Sequence, residues 1–398
     1  MKAEGLAARE AKANSTHKLK AFLFSSLGIL VSLSGQVNAA SKAEAAAPKP
    51  AVGEALAPLT WEEKIGQMIL VYHSPYDFLR KYHIGGVLIM ANMLKDTAKL
   101  AESIARSQEK LDIKLFVAID QEGGKVNRLS SLAAWRTVLP VAELKNLPPD
   151  SIISHNRRVA RALKGLGVNM NLAPVLDPSH DWKGQSTFIN MEGRSFGKSA
   201  AEMLAPANAF MEGFTREGIV CVSKHFPGYD VQENSDHHIV VSDADSAVIS
   251  GQITAFSQSI AKVAGVMISS IHYRKISDRP SVFSPEIVAM ARSMNPDVVL
   301  MTDDLWGAAL RAYVCGKAAV DPVQYSDADF QRLVELAFWA GNDIFMITFP
   351  AKVALIQKTL LELARKSAPA RERIDASVGR ILAAKASMGL APGVAPAR

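Results

Sequence analysis

Eight short apolar runs recur along the chain, and each is nearly continuous rather than alternating between apolar and polar residues. They begin at Ile65, Ile84, Lys114, Val168, Ile219, Gly265, Val298 and Asn342, and they read IGQMILVY, IGGVLIM, KLFVAID, VNMNLAPVLD, IVCVSKHF, GVMISSI, VVLMTDDL and NDIFMITF. A continuous apolar run is typical of a strand that is buried on both faces of a parallel sheet. The pattern therefore predicts eight buried parallel strands.

Segments with the length and apolar spacing of helices lie between these runs, for example at residues 200–217, 246–262 and 327–340. Eight strand-then-helix units over about 330 residues predict a single (β/α)8 TIM barrel, a fold that usually occupies about 250 residues and more when loops are inserted. A doubly wound open sheet is the alternative, but its first strand is usually followed by a glycine-rich phosphate-binding turn. The stretch GQMILVYHSP contains no such turn.

Composition and charge exclude several classes of protein. Apolar residues make up 48 % of the chain, so a substantial folded core is expected. The formal net charge is +6, half of this excess lies in residues 1–39, and no clustered basic face indicates a nucleic-acid partner. Cys221 and Cys315 are too few for a disulfide scaffold.

The first 39 residues have the pattern of a signal peptide. Lys18 and Lys20 precede an uncharged run at residues 21–34, and a small-x-Ala cleavage pattern ends at Ala39. An uncleaved anchor is the weaker alternative, because the run is shorter than the roughly 20 residues that a spanning helix needs. We therefore expect a periplasmic or secreted protein with no membrane span after cleavage.

The segment after the signal peptide is rich in alanine, proline and lysine, as a tether would be. The predicted organisation is a signal peptide at 1–39, a linker at 40–58, a TIM-barrel catalytic domain at 59–391 and a tail at 392–398.

Polar side chains directly follow five of the eight runs. They are Asp120, Asp177, Lys224 with His225, Ser270 with His272, and Asp303 with Asp304. In a TIM barrel the carboxyl ends of all strands meet at one face, where active sites lie. Unpaired charge beside a packed core costs free energy unless a ligand or partner uses it. Walker, dinucleotide and Gly-x-Ser-x-Gly motifs are missing from the sequence, so this set favours binding of hydroxyl groups and acid–base or nucleophilic attack at a sugar carbon.

Seven motifs in order resemble those of glycoside hydrolase family 3, and specifically its single-domain β-N-acetylglucosaminidases of the NagZ type. They are GGVLIMANM, AIDQEGGKVNRL, NMNLAPVLDP, EGRSFG, SKHFPG, MTDDLWGAAL and AGNDIFMI, and the resemblance runs from Trp61 to Leu390. It implies a retaining exo-β-N-acetylglucosaminidase that hydrolyses terminal β-linked N-acetylglucosamine from peptidoglycan fragments or related oligosaccharides by double displacement. It also implies an oligosaccharide or muropeptide substrate, no cofactor, no metal and a monomer.

The resemblance assigns roles residue by residue. Asp303, the first acid of TDDL, matches the nucleophile, while His238 matches the general acid/base and Asp236 the residue that orients it. The side chains that match those holding the N-acetylglucosamine are Asp120, Arg128, Arg194, Lys224 and His225. A histidine donor suits neutral pH because its unperturbed pKa is about 6.5.

The loop that follows SKHFPG departs from the pattern of the relatives. Gly228 is followed by Tyr229 and Asp230 rather than by His-Gly, and a match without gaps would place the acid/base at His237. The length of the loop and Gly228 as a hinge suggest closure over bound sugar.

Three other hypotheses stay open. A histidine donor repels phosphate less than a carboxylate does, so phosphorolysis is one alternative. The altered loop also allows a catalytically silent glycan-binding barrel of the cell envelope. A metal site built from His225, Asp236, His237 and His238 is disfavoured, because neighbouring histidines tend to point apart in an extended chain and no His-x-His pattern occurs.

Overall fold

The computed structural model describes residues 56–179, 181–182, 184–317 and 325–391. The predicted signal peptide at 1–39, residues 40–55 of the predicted linker and the predicted tail at 392–398 lie outside the described residues. Leu56 is already buried against the core.

Eight strands form one parallel sheet, and they arise from the eight apolar runs. In chain order they are β1 Ile69–Tyr72, β2 Gly86–Ile89, β3 Phe116–Ile119, β4 Met170–Asn171, β5 Val220–Phe226, β6 Gly265–Ile268, β7 Val299–Thr302 and β8 Phe345–Ile347. Consecutive strands from β1 to β7 pair in parallel, and β1 also pairs with β8. A parallel bridge between Met301 and Ile344 joins β7 to β8. The sheet is thus nearly closed, and the predicted TIM barrel is confirmed.

Helices surround the sheet. Those of the described residues are Trp61–Gln67, Tyr76–Lys81, Thr97–Lys110, Val141–Leu144, Pro149–Gly165, Phe188–Met191, Ala200–Thr215, Ser246–Ser259, Pro285–Met294, Ala308–Cys315, Asp327–Ala340, Val353–Lys366 and Ala368–Ser387. Several begin at a side chain that accepts a hydrogen bond from the first turn, such as Thr60, Ser199 and Ser326, which stabilises a helix start by about 1 kcal/mol. The helix predicted at 327–340 has those bounds, and the helices predicted at 200–217 and 246–262 end two and three residues earlier.

Short strands outside the barrel shape its loops. Gln121–Gly123 pairs with Val126–Asn127 after β3, and Val241–Ser242 pairs with His272–Tyr273. Both pairs lie beyond the carboxyl ends of barrel strands, so they build up the face where the polar residues converge. Of the helices described, none combines the length and apolarity that a bilayer span requires.

The opposite, amino-terminal face holds buried ionisable side chains that are hydrogen-bonded to neighbouring elements. Asp343, which precedes β8, accepts hydrogen bonds from Arg292 at 2.6 Å and from Arg380 at 2.9 Å. Lys385 is fully buried and donates to Gln67 Oε1 and to the carbonyl of Lys114, both at 2.7 Å. Groups at this end of a TIM barrel serve stability rather than chemistry.

Candidate active site

Most of the predicted site residues lie at the face where the carboxyl ends of the strands meet, here called the mouth of the barrel. Asp120 follows β3, Lys224 and His225 are in β5, and Asp303 follows β7. The bridge between Val175 and Lys224 prolongs β4 beside β5, which brings Asp177 to the same face. One ring of strand ends therefore positions these side chains.

Lys224 is the centre of a group of charges that we call the ion cluster: Asp120, Glu122, Arg128, Arg194 and Lys224. Its Nζ lies 2.7 Å from Asp120 Oδ1 and 2.7 Å from Glu122 Oε1, and the residue is only 3 % exposed. Burial alone would lower the pKa of Lys224, but the two carboxylates raise it above its ordinary value. The ammonium group is therefore kept charged.

Glu122 was not predicted from the sequence, although it joins two predicted residues. Arg194 Nε donates to Glu122 Oε2 at 2.8 Å and Nη2 donates to Oε1 at 2.9 Å. Burial opposes ionisation of Glu122, yet Arg194 and Lys224 hold its pKa well below the usual range. The available signal was a charged residue inside the otherwise buried stretch Gln121–Gly123, since a buried charge requires a partner.

Arg128 is held more loosely than Arg194. Its Nη2 lies 3.5 Å from Asp120 Oδ2, and its buried Nε has no hydrogen-bond partner among the described residues. A buried donor without a partner costs free energy. Arg128 thus offers a donor that a polar ligand could use.

His225 is fixed in orientation by Asp177. Its Nδ1 lies 2.7 Å from Asp177 Oδ2, and its backbone N–H donates to Asp177 Oδ1 at 3.0 Å. A carboxylate facing Nδ1 favours the tautomer with the proton on that nitrogen. The ring of Tyr229 packs edge-on at 5.8 Å. Asp177, which follows the fourth apolar run, therefore orients a predicted substrate-binding residue.

Asp303 has a carboxyl group at the mouth whose pKa is strongly raised. Burial, and next the charge of Asp236, raise its pKa to about 7, while His225 and Lys224 act in the opposite direction. Asp304 N–H donates to Asp303 Oδ1 at 2.8 Å. Perturbed carboxyl groups in clefts are candidates for catalysis.

The neighbouring Asp304 is occupied by the protein itself. Its carboxylate accepts hydrogen bonds from Trp306 N at 3.0 Å, Thr348 N at 2.9 Å and Thr348 Oγ1 at 2.5 Å. This carboxylate therefore ties the segment after β7 to the segment after β8.

Asp236, His237 and His238 are all exposed. Asp236 is tied by its backbone, since its carbonyl accepts from Ala308 N at 3.0 Å and its N–H donates to Asn234 Oδ1 at 2.9 Å. In this part of the described chain its carboxylate makes no hydrogen bond or ion pair with either histidine. The structure therefore brings Asp236 into electrostatic reach of Asp303 but does not pair it with His238.

The loop that carries these residues, 227–243, is here called the donor loop, and buried side chains hold it at its base. Tyr229 is 3 % exposed; its hydroxyl donates to the Glu233 carbonyl at 2.8 Å and accepts from Ser235 N at 2.7 Å. Ser242 Oγ donates to the buried Asp230 at 2.6 Å. The two residues that depart from the family pattern are thus the ones that anchor the loop.

Gly228, predicted as a hinge, is tightly packed. Its φ is +142°, and a Cβ there would lie 2.9 Å or less from the side chain of Gln252. Tyr273 Oη donates to its carbonyl at 2.6 Å. Any movement of the donor loop must therefore occur beyond this anchored base.

Tyr72 is a further residue that the sequence reasoning missed. It ends β1, and burial, followed by the charge of Asp304, raises its pKa, while Thr348 hydrogen-bonds to it and Arg128 lies in electrostatic reach. It therefore lies within electrostatic reach of both the ion cluster and Asp304.

No group of three or more His, Cys, Asp or Glu side chains within the described ranges is arranged to hold a metal ion. The acids of the ion cluster are paired with Lys224, Arg128 and Arg194 instead.

The fold and this mouth define a glycoside hydrolase of the TIM-barrel class. The family model described as the glycosyl hydrolase family 3 N terminal domain matches residues 60–384. The chain belongs to glycosyl hydrolase family 3, and the predictions of the family and of a glycoside hydrolase are confirmed.

Similar proteins agree with this assignment. A Pseudomonas aeruginosa protein named beta-hexosaminidase is 25 % identical over 302 residues, which cover 74 % of this chain and 83 % of that protein. A solved structure of a beta-N-acetylhexosaminidase from Beutenbergia cavernae is 28 % identical with a TM-score of 0.69, covering 83 % of this chain and 99 % of the other. The structure of M tuberculosis LpqI, 22 % identical, has a TM-score of 0.72 over 85 % of this chain and 97 % of its own, and it supports the fold alone.

Proposed function

We propose that this protein is an exported, retaining exo-β-N-acetylglucosaminidase that removes terminal β-linked N-acetylglucosamine from peptidoglycan fragments or related oligosaccharides. The names of the relatives supply the sugar specificity. The observation that carries the chemistry is Asp303, a partly buried carboxyl group directly after β7 that lies within electrostatic reach of His225 and Lys224.

In this mechanism the ionised Asp303 attacks the anomeric carbon and forms a glycosyl-enzyme ester, which water then hydrolyses with retention. His225 and Lys224, which both act to lower the pKa of Asp303, favour the ionised form. The raised pKa makes the carboxylate a stronger base and a better nucleophile than a solvated one, provided that the pH is high enough to ionise it.

The ion cluster would hold the non-reducing sugar. Asp120 can accept from sugar hydroxyls, while the unpartnered Nε of Arg128 can donate. The charges of Lys224 and Arg194 are fixed by Glu122, so hydroxyl groups would meet a preorganised set of donors and acceptors.

The donor loop would supply the proton for the leaving oxygen. His238 is the proposed donor, oriented by Asp236, and His237 is the alternative. Because neither histidine is bonded to Asp236 in this conformation, the tip of the loop must turn towards the mouth when substrate binds, as loops over active sites commonly do. The bonds of Tyr229 and Asp230 confine that motion to the tip.

Release of 4-methylumbelliferone from its N-acetyl-β-glucosaminide tests the proposal, with the β-glucoside as the comparison. We expect cleavage of the acetamido sugar only, a β-anomer as the first product in NMR spectra, and loss of turnover in His238→Ala. A His237→Ala variant decides between the two histidines. An α-anomer as first product would rule out retention.

The exposed position of His238 favours one second candidate, a catalytically silent glycan-binding barrel. A folded protein that binds N-acetylglucosamine in calorimetry but cleaves neither substrate would support this candidate. Sugar 1-phosphate formed in phosphate buffer would instead indicate a phosphorylase. Export rests on residues 1–39, and fractionation of cells expressing the full chain tests it.

A further inference from the structure

Two aromatic side chains meet at the mouth between β7 and β8. Trp306 lies three residues after Asp303, and Phe349 lies two residues after β8. Their ring centroids are 4.6 Å apart at an interplanar angle of 26°, so the rings are stacked. Phe349 is nevertheless 39 % exposed. The pair thus presents an exposed aromatic face, held in a fixed orientation, at the mouth where the proposed nucleophile lies.

The position of this pair is set by Asp304, the neighbour of the proposed nucleophile. Asp304, next to the proposed nucleophile, accepts from the backbone N–H of Trp306 and from both donors of Thr348, the residue before Phe349. Arg311, which is 5 % exposed, places its guanidinium carbon 4.6 Å from the centroid of the indole ring. The aromatic pair is therefore held at a fixed position relative to Asp303.

The order of strands around the barrel indicates which part of a bound substrate would contact Phe349. The ion cluster rises mainly from β3 and β5, which lie across the mouth from β8 in the nearly closed ring of eight strands. A sugar whose hydroxyls contact Asp120 and Lys224, and whose anomeric carbon meets Asp303, directs its leaving group away from β3 and β5. The leaving group then passes over the ends of β7 and β8.

We propose that Phe349, supported by Trp306, is a stacking platform for the pyranose ring on the leaving-group side of the cleaved bond. The axial C–H groups of a β-linked glucosamine ring form an apolar face with partial positive charge, which complements the negative face of an aromatic ring. One exposed ring matches one pyranose. The inference rests on the proposed function and adds to it that a second sugar, rather than any small aglycone, is preferred after the terminal N-acetylglucosamine.

The test compares two substrates whose leaving groups need the same protonation. In N,N′-diacetylchitobiose the leaving group is a sugar ring, whereas in methyl N-acetyl-β-D-glucosaminide it is methanol, which offers no ring to stack. We expect Phe349→Ala to lower the ratio of kcat/KM for the disaccharide to kcat/KM for the methyl glycoside by about tenfold. Phe349→Trp should keep most of the ratio, because it restores an aromatic face.

Trp339→Ala is the matched control. Trp339 is 45 % exposed, stacks edge-on against Phe338 and belongs to the helix Asp327–Ala340, so its removal should leave the ratio as it is. An unchanged ratio in a folded Phe349→Ala variant that still cleaves the methyl glycoside overturns the platform while leaving the proposed function intact. A wild-type protein that cleaves neither substrate overturns both.

Discussion

Glu122 and Arg194 form two parallel hydrogen bonds of 2.8 and 2.9 Å, although they lie 72 residues apart in the chain. Glu122 is 3 % exposed and also holds Lys224 at 2.7 Å. One carboxylate thus fixes two cations of the ion cluster. Removing one partner from such a buried group destabilises the fold, because the remaining charges are left buried without compensation.

Loss of the Glu122 charge should therefore destabilise the fold as well as the site. We expect Glu122→Gln to lower the free energy of unfolding by about 3 kcal/mol, because Arg194 and Lys224 would keep buried charges with one partner fewer. Urea denaturation monitored by circular dichroism measures the change.

Glu192→Gln is the control for this experiment, since Glu192 pairs with the exposed Lys125 at 3.0 Å. An exposed ion pair contributes about 1 kcal/mol or less. If both substitutions lowered the free energy of unfolding equally, the claim that Glu122 holds the ion cluster together would be contradicted.

The raised pKa of Asp303 predicts the acid limb of the pH–rate profile. Its pKa of about 7 means that the nucleophilic carboxylate is lost by protonation as the pH falls through 7, so kcat/KM should decrease below that pH. Since the negative charge of Asp236 raises this pKa, Asp236→Asn should move the limb to lower pH, whatever its effect on the maximal rate. An acid limb that moves to higher pH, or does not move, would show that the charge of Asp236 does not raise the pKa of Asp303.

The donor loop offers a prediction about Tyr229. Tyr229→Phe removes the hydroxyl that bridges the Glu233 carbonyl and Ser235 N, and two lost hydrogen bonds amount to about 1–3 kcal/mol. We expect kcat to fall about tenfold with little change in KM, together with faster proteolysis within residues 230–240.

Tyr313→Phe makes the same chemical change at a distance from the site, where the hydroxyl donates to the Asp278 carbonyl at 3.3 Å. This substitution should change neither kcat nor the rate of proteolysis within residues 230–240. Unaltered kcat and proteolysis in Tyr229→Phe would mean that the loop is held by other contacts.

Lys385 links stability to pH at the amino-terminal face. Burial lowers its pKa from 10.5 to about 7, so between these values the unfolded chain binds more protons than the folded one and stability rises with pH. Below pH 7 both states are protonated and the full cost of the buried charge is present. Lys385→Met should flatten this rise in melting temperature between pH 7 and 10, whereas Lys366→Met, at a side chain that is 76 % exposed, should not.

The sequence predicted the barrel because each strand is buried on both faces, and that burial leaves a continuous apolar run in the chain. It also predicted where Asp303 and Lys224 lie, since strand ends converge at one face. Glu122 was not predicted because its role depends on its contact with Arg194, and these two residues come together only in the folded chain. The side-chain arrangement of Asp236 and His238 could not be predicted either, because both are exposed in a loop whose course is set by Tyr229 and Asp230.

The most direct test of the account is to trap the glycosyl-enzyme ester. Incubation with a 5-fluoro N-acetylglucosaminyl fluoride, which slows hydrolysis of the ester, followed by peptide mass spectrometry, locates the labelled carboxylate. The account predicts one added N-acetylglucosaminyl group on the peptide that contains Asp303, and no label in Asp303→Asn. A label on another acid, or none in a protein that hydrolyses N-acetyl-β-glucosaminides, would contradict the assignment of Asp303 as the nucleophile.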